Sequence, residues 1–259
     1  MTRAGRKNTG MKGSRVMKKA LRRAMRDILI VVALLGLIFG GAGLWSETRQ
    51  SRASDFGMPT LPAVRDQEGE ADPRVDFASL RRGAPEALAW IAVPGTQIDY
   101  PVTQWTDNQY FLTRTARHEA SRYGSIFMDY RNNSDFSDFF TILYGHNMRS
   151  GKMFGTLREF RDDEFFDRVQ YGSLRTPDKT YRLQFFAWAV GDSTGEYYKN
   201  LAFVIPGEKE AFLRMCRETA RRWREVPLNA GDHIVALSTC ASESESARML
   251  LLAKLVEQQ

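Results

Sequence analysis

A long uncharged apolar run follows a strongly basic N-terminus, and this pair of segments constrains the chain more than any other feature. Residues 28–45 (ILIVVALLGLIFGGAGLW) carry no charged side chain over 18 positions. As a helix they would extend about 27 Å, close to the thickness of the hydrocarbon core of a bilayer. A helix buried in a soluble protein rarely lacks a polar face over this length. We therefore expect a single membrane-spanning anchor here.

The positive charge of the chain is concentrated in front of the apolar run. Residues 1–27 hold ten basic side chains and one acidic one, a net charge of +9, whereas the whole chain of 259 residues carries +6. Residues 28–259 are therefore mildly acidic, at −3, and this balance predicts no nucleic-acid partner. The positive-inside rule predicts a single-pass protein of the cell membrane, with a cytoplasmic N-terminus and an extracellular C-terminal part.

A cleaved signal peptide is the alternative interpretation of the N-terminal region. Residues 41–43 (GAG) are small, as residues before a cleavage point are. We favour the uncleaved anchor, because the apolar run reaches spanning length and the basic region before it is unusually long. Both interpretations export the rest of the chain.

The remainder divides into a linker and one folded domain. Residues 46–75 mix Ser, Pro, Gly, Asp and Glu without helical or alternating periodicity, so we interpret them as an extracytoplasmic linker. Residues 76–259 are richer in core-forming side chains and are long enough for one well-buried domain. The predicted organisation is a basic cytoplasmic tail at 1–27, an anchor at 28–45, the linker and this domain.

Short extended segments dominate the domain. Six segments are rich in β-branched, aromatic and aliphatic residues and are mostly bounded by turn-forming residues: 98–102, 125–128, 139–144, 181–190, 233–239 and 249–256. Apolar stripes predict two helices, over residues 153–169 and 206–225. Many strands with a few inserted helices predict a mainly β fold, a mixed barrel rather than a doubly wound sheet.

Three polar residues at predicted strand ends point to chemistry: His146, Cys240 and Arg248. A cysteine beside a histidine is the minimal unit of thiol catalysis, since the thiolate attacks and the imidazole takes or returns the proton. A nearby guanidinium favours the thiolate, and it stabilises an oxyanion or positions a substrate carbonyl. Spacing alone does not bring His146 to Cys240, and each residue taken singly also fits a structural role.

Several segments resemble those of class B sortases. They are residues 90–102 (WIAVPGTQIDYPV), 107–112 (DNQYFL), 141–148 (TILYGHNM), 152–157 (KMFGTL) and 237–240 (LSTC). They occur in the family's order and, together, extend over most of the predicted domain. The basic and then apolar N-terminus is similar to the membrane anchor of that family.

The resemblance implies a closed β-barrel of about eight strands, with an N-terminal helical region and a long helix before the cysteine strand. It implies a membrane-anchored cysteine transpeptidase of a Gram-positive-type bacterium, without cofactor or metal. Such an enzyme cleaves a C-terminal sorting motif of secreted proteins through a thioester on Cys240. It then transfers the acyl group to an amine of a peptidoglycan precursor or a pilin.

The resemblance also implies roles for single residues. Cys240 becomes the nucleophile, His146 the acid and base, and Arg248 the group that stabilises the substrate and the oxyanion. Three further residues match positions near the substrate groove of the family: Asn108, Tyr144 and Ser238. The chain departs from the family at residues 241–247 (ASESESA), which lack the aromatic residue often found there.

The other cysteine and histidines read as structural residues. Cys216 lies on the apolar stripe of the second predicted helix, which favours core packing. His118 has loop-like neighbours and no ligand partner, and His233 opens a strand. Two alternative functions stay open at this point: a Cys–His peptidoglycan peptide hydrolase of another fold, and a non-catalytic, surface-anchored binding barrel.

Overall fold

The computed structural model describes residues 75–239 and 247–258, together with Met25 and two short strands, β1 (Val64–Arg65) and β2 (Ala71–Asp72), which pair antiparallel. The predicted tail (apart from Met25), the anchor at 28–45 and Cys240 lie outside the described residues, as does most of the linker. Within the described part, no helix has both the length and the apolar character needed to cross a bilayer.

Eight strands form a closed barrel. The strands of the main sheet are β3 (Ala87–Ala92), β4 (Asp99–Thr103), β5 (Ile126–Met128), β6 (Phe140–Gly145), β7 (Tyr171–Arg175), β8 (Thr180–Asp192), β9 (Ala220–Trp223), β10 (His233–Thr239) and β11 (Ala247–Gln258). Their order is β11-β10-β6-β5-β4-β3-β7-β8, and β8 pairs antiparallel with β11 to close the ring. β9 lies outside this ring and pairs antiparallel with residues 187–189 in the C-terminal half of β8. The predicted mainly β barrel of about eight strands is confirmed.

Alternate residues of the barrel strands face two different apolar cores. On β10, Val235 and Leu237 belong to a cluster with members from all eight barrel strands, which is the barrel interior. Ile234 and Ala236 belong to a second cluster that includes Phe212 of the long helix. Because successive side chains of a strand point to opposite faces, a strand covered on both faces is a continuous apolar run. The core therefore lies on both sides of the strand that precedes Cys240.

Short helices connect the strands. They are α1 (Phe77–Gly83), α2 (Asp163–Arg168), α3 (Glu196–Lys199) and α4 (Glu208–Thr219), with two 3₁₀ helices, η1 (Tyr110–Leu112) and η2 (Gly155–Arg161). α1 supplies the predicted N-terminal helical region, and α4, with 12 residues, is the predicted long helix before the cysteine strand. η1, on the connection from β4 to β5, reaches the site described below.

The predicted boundaries of both helices, 153–169 and 206–225, were wrong. The segment 153–169 is not one helix, because the backbone at Asp162 is extended (φ −82°, ψ 134°). The Asp162 carboxylate accepts a hydrogen bond from the Phe165 amide at 3.0 Å and so starts α2 anew. The predicted helix 206–225 ends at Thr219, and residues 220–223 pair with β8 instead. There Trp223 packs against Phe186 with ring centroids 5.4 Å apart.

Candidate active site

The parallel pair β6 and β10 brings the two predicted catalytic positions to one edge of the barrel. Gly145, the last residue of β6, is paired with Thr239, the last residue of β10. His146 follows the first strand and Cys240 follows the second. Because the strands are parallel and end in register, both chains leave the sheet at the same edge. Cys240 itself lies outside the described residues.

Gly145 explains the Tyr-Gly-His motif. A Cβ atom at this position would lie 2.5 Å from Cδ1 of Ile126 and 2.8 Å from the ring of Phe154. Real side chains do not approach this closely, so the packing under His146 requires glycine. The motif therefore reflects a steric demand at the strand end that carries the histidine.

A backbone carbonyl orients the half-buried His146 ring. Nε2 of His146 lies 2.7 Å from the carbonyl oxygen of Leu112, the last residue of η1. A carbonyl only accepts hydrogen bonds, so Nε2 carries the proton and Nδ1 is the nitrogen that exchanges one. The Phe154 amide donates to the His146 carbonyl at 3.0 Å and holds the backbone. The site thus presents an imidazole in a defined tautomer.

Arg248 binds the peptide unit that precedes Cys240. Its Nη1 donates to the carbonyl oxygen of Thr239 at 3.1 Å. The amide of Met249 donates to Oγ1 of the same threonine at 3.0 Å, which fixes the end of β10 to the start of β11. Nε of Arg248 is buried, and no atom of the described residues accepts its hydrogen bond. The guanidinium therefore offers a positively charged donor next to the peptide bond that joins Thr239 to Cys240.

The buried carboxylate of Asp129, directly after β5, gathers two of the predicted substrate-binding residues. Its Oδ2 accepts hydrogen bonds from Nδ2 of Asn108 and from the hydroxyl of Tyr144, both at 3.0 Å. Arg131 forms a fork on the same carboxylate, with Nε at 2.9 Å from Oδ1 and Nη2 at 2.8 Å from Oδ2. A buried charge needs such a partner and such donors.

The pKa values of this network follow from the same contacts. Burial by itself would raise the pKa of Asp129, but the hydrogen bonds and charge of Arg131 outweigh it, so the pKa lies below its ordinary value. Burial and the Asp129 carboxylate raise the pKa of Tyr144 well above its ordinary value. Tyr144 therefore stays protonated and donates, and Asp129 stays ionised and accepts.

Ser238 joins this network through Tyr198. Ser238 is the register partner of Tyr144 across β6 and β10, and its Oγ lies 2.8 Å from the hydroxyl of Tyr198. The rings of Tyr198 and Tyr144 stack with their centroids 6.4 Å apart. The backbone carbonyl of Tyr198 accepts a hydrogen bond from Nη1 of Arg131 at 3.0 Å. The structure thus brings Asn108, Tyr144 and Ser238 into one connected set.

The sequence interpretation missed Asp129, Arg131 and Tyr198. Residues 129–131 (DYR) directly follow the short apolar strand β5, and a carboxylate two residues before an arginine was the available signal. Tyr198 offered no such signal, because α3 reaches the site only through the packing of α3 and α4 on the sheet.

The remaining candidates take structural positions. Cys216 lies on the buried face of α4 and is fully buried, and burial raises the pKa of its thiol to about 12, so core packing is confirmed. His233 starts β10, as predicted, and is exposed. His118, for which the sequence indicated loop-like neighbours and no ligand partner, has its ring in contact with Glu86 and Tyr110. Across the described ranges, no group of three or more acidic, histidine or cysteine residues is arranged to hold a metal ion.

Comparison with known proteins shows the family of this chain. A family model for the sortase domain matches residues 91–256. Sortase B of Listeria monocytogenes is 30% identical over 235 residues, covering 88% of this chain and 95% of that protein. Sortase B of Staphylococcus aureus is 27% identical over 241 residues, covering 92% and 98%. The chain therefore belongs to the sortase family, whose members are cysteine transpeptidases.

Solved structures give the same result and refine the class. The crystal structure of sortase B from Bacillus anthracis in complex with AAEK1 superposes with a TM-score of 0.68 at 33% identity, covering 83% of this chain and 98% of that one. A Streptococcus pyogenes class B sortase involved in pilus biogenesis superposes with a TM-score of 0.64 at 30% identity, covering 70% of this chain and 98% of that one. The class is thus B. The alternatives of an unrelated hydrolase fold and of a non-catalytic barrel are excluded.

Proposed function

We propose that this chain is a membrane-anchored class B sortase in which Cys240 is the nucleophile, His146 the acid and base, and Arg248 the stabilising cation. The observation that carries the proposal is the end of β10. Thr239, which directly precedes Cys240, is paired with Gly145 beside His146 and receives the Arg248 hydrogen bond at 3.1 Å. Parallel strands that end together and a guanidinium at the same peptide are what a Cys–His–Arg site needs.

The first half of the proposed reaction forms a thioester. The Cys240 thiol gives its proton to Nδ1 of His146, and the resulting thiolate attacks the scissile carbonyl carbon of a sorting motif, so that a bond forms between Sγ and that carbon. The peptide C–N bond then breaks, and the leaving amine takes a proton from Nδ1 of His146, since Nε2 is held by the Leu112 carbonyl. Donors on Arg248 stabilise the negative charge on the carbonyl oxygen.

The second half transfers the acyl group. An acceptor amine attacks the thioester carbon and gives its proton to His146, while the Cys240 thiolate leaves and the new amide forms. The acceptor is an amine of a peptidoglycan precursor or of a pilin. No cofactor takes part, because every proton and electron pair is accounted for by substrate, thiol and imidazole.

Asn108, Tyr144 and Ser238 are proposed to line the substrate groove. Asn108 is half-buried, and its amide is already held at one end by Asp129 and at the other by the Tyr130 amide. A side chain fixed at both ends offers little adjustment, so Asn108 would present a rigid polar edge to an extended peptide. Tyr144 and Ser238 are buried and would support that wall from behind.

The anchor and the location belong to the same proposal. The +9 tail followed by the uncharged run at residues 28–45 supports a single-pass anchor in the lipid bilayer, with the catalytic domain at 76–259 outside the cell. An extracellular position supports secreted proteins with a C-terminal sorting signal as substrates.

A peptide-library cleavage screen with the full chain tests the activity. We expect cleavage of one sorting-motif class and a covalent adduct on Cys240 by mass spectrometry, whereas Cys240→Ala gives a folded protein with neither product nor adduct. Cys216→Ala is the matched control and should retain both. Addition of an acceptor amine such as oligoglycine or diaminopimelate should divert product into the amine conjugate. Cleavage by Cys240→Ala, or an adduct on Cys216, would refute the assignment.

A further inference from the structure

A second histidine, His118, contacts η1, and both of its ring nitrogens have hydrogen-bond partners. The ring of His118 lies between a carboxylate and a phenol: Nε2 is 2.5 Å from Oε2 of Glu86, and Nδ1 is 2.8 Å from the hydroxyl of Tyr110. The side chains of His118 and Glu86 are 29% and 27% exposed, so the pair is largely shielded from water. Both ring nitrogens therefore have a partner.

The backbone of His118 is held in an unfavourable conformation. Its φ is +63°, in the left-handed region that non-glycine residues rarely occupy. Its amide donates to the Thr115 carbonyl at 2.9 Å, which makes it the closing residue of a tight turn. Such a conformation costs roughly 1–3 kcal/mol and persists where surrounding contacts hold it. Here it turns the ring back onto η1.

The hydrogen bonds of His118 do not depend on its protonation. The Glu86 carboxylate only accepts, so Nε2 carries a proton in either charge state. In the neutral ring, Nδ1 accepts from the Tyr110 hydroxyl. In the charged ring, Nδ1 donates to the same oxygen after the hydroxyl rotates. The three side chains thus stay connected in both states.

Tyr110 transmits this contact to the active site. It is the first residue of η1, and its ring stacks on Trp105 at 4.5 Å, with the Arg114 guanidinium 4.6 Å from its centroid. Leu112 is the last residue of the same single turn, and its carbonyl accepts the Nε2–H of His146. A 3₁₀ turn of three residues has little internal freedom. The position of Tyr110 therefore sets the position of the Leu112 carbonyl.

We propose that Glu86, His118 and Tyr110 form a clamp on η1 that positions the imidazole of His146, making His118 a positioning residue for the transpeptidation. The proposal rests on the role of His146 proposed above. Among the described residues, none of the three clamp residues contacts His146 or Arg248 directly, so their effect is on the tautomer and orientation of His146 and not on substrate binding.

Imidazole NMR of the full chain labelled with ¹⁵N-histidine tests the clamp, and the chain contains three histidines to assign. In the wild type we expect a slowly exchanging Nε2–H of His146. His118→Asn tolerates the left-handed backbone but is too short to reach both partners. In His118→Asn, the Nε2–H of His146 should exchange about tenfold faster. The kcat should fall about tenfold at a nearly unchanged KM, because the variant loses one hydrogen-bond network.

Two further variants keep the experiment decisive. Tyr110→Phe keeps the ring stack but removes the hydroxyl, so a smaller change in the same direction is expected; this variant carries the test if His118→Asn does not fold. His233→Asn is the matched control, since His233 is exposed at the start of β10 and binds only the Asp138 carbonyl among the described residues. It should leave the His146 signal and the kcat unchanged.

Failure of the clamp is distinguishable from failure of the proposed function. An unchanged Nε2–H exchange rate in folded His118→Asn and Tyr110→Phe overturns the clamp, whatever the activity. If the Nε2–H of His146 exchanges faster in the variants than in the wild type, but the wild type cleaves no sorting peptide, the clamp is supported and the transpeptidase role of His146 is refuted. A loss of kcat without any change at His146 would also overturn the clamp.

Discussion

At the scale of single residues, the described side chains of the site are held by hydrogen bonds to defined partners. Nε2 of His146 is bound to a carbonyl, Arg248 to the Thr239 peptide, and Asp129 to three side chains. Partners of this kind lower the reorganisation needed during a reaction, because the side chains are already held in place.

Arg248→Lys should abolish most transpeptidation. A lysine ammonium is a point charge and cannot bind the Thr239 carbonyl while offering a second planar donor to the substrate. We expect kcat/KM to fall by about 10²-fold or more, measured with the best peptide from the screen. Arg149→Lys is the control, because Arg149 is exposed three residues after His146. Wild-type rates in Arg248→Lys would reduce Arg248 to a structural residue.

Asp129 should make the stability of the protein depend on pH. Its pKa in the folded protein is below the unfolded value of about 3.9. Its stabilisation is therefore complete above the unfolded pKa and disappears as the pH falls through the folded pKa. Urea unfolding between pH 6 and 3 should show a steeper loss in the wild type than in Asp129→Asn. Parallel slopes in both proteins would contradict the prediction.

At the scale of elements, the site depends on how strand ends and one 3₁₀ turn meet. β6 and β10 end in register, β11 begins beside them, and η1 approaches from the connection between β4 and β5. Gly124 lies under η1 with φ +58°, and a Cβ there would be 2.5 Å from the Phe111 carbonyl and 2.6 Å from the Leu112 carbonyl. The turn that orients His146 therefore rests on a glycine.

Gly124→Ala should displace η1. The new methyl group meets backbone oxygen atoms rather than flexible side chains, and its backbone conformation is unfavourable for alanine. We expect a loss of about 1–3 kcal/mol in the free energy of unfolding and a lower kcat, measured by denaturation and peptide cleavage. Gly83→Ala, at the end of α1, where the nearest atom lies at 3.8 Å, is the matched control. A Gly124→Ala protein as stable and active as that control would show that the turn adapts.

At the scale of the whole molecule, the proposed arrangement places a basic tail, an apolar anchor and a catalytic barrel in that order along the chain. Such an arrangement lets the anchor hold the enzyme where secreted substrates cross the membrane, while the barrel requires no other protein to complete its sheet, since β8 and β11 close it.

Thiol labelling of intact cells tests this topology. A membrane-impermeant maleimide should label Cys240 from outside, because the positive-inside rule predicts that the domain lies across the bilayer from the basic tail. Cys216 should remain unlabelled in the folded protein, since it is fully buried and its thiol has a pKa of about 12. Cys240→Ala cells serve as the control for unspecific labelling. Labelling that appears only after permeabilisation would place the domain in the cytoplasm.

Local sequence patterns predicted the strands that are buried on both faces. Residues 233–239 and 139–144 are largely apolar, and the structure has strands at these positions. The helix boundaries failed because Asp162 can cap a new helix and because residues 220–223 meet an open edge of β8. Apolar stripes do not distinguish a helix from a strand when the decision depends on a distant partner.

The sequence by itself determined the charge separation, the apolar run, the strand-rich domain and, through resemblance, the family and the candidate trio of His146, Cys240 and Arg248. Only the tertiary structure decided which carbonyl holds His146, that Asp129 connects Asn108 and Tyr144, and that His118 reaches Glu86. These contacts join residues 15 to 34 positions apart in the chain. Contacts at such separations depend on strand register and on side-chain packing, and neither leaves a periodic signal in one sequence.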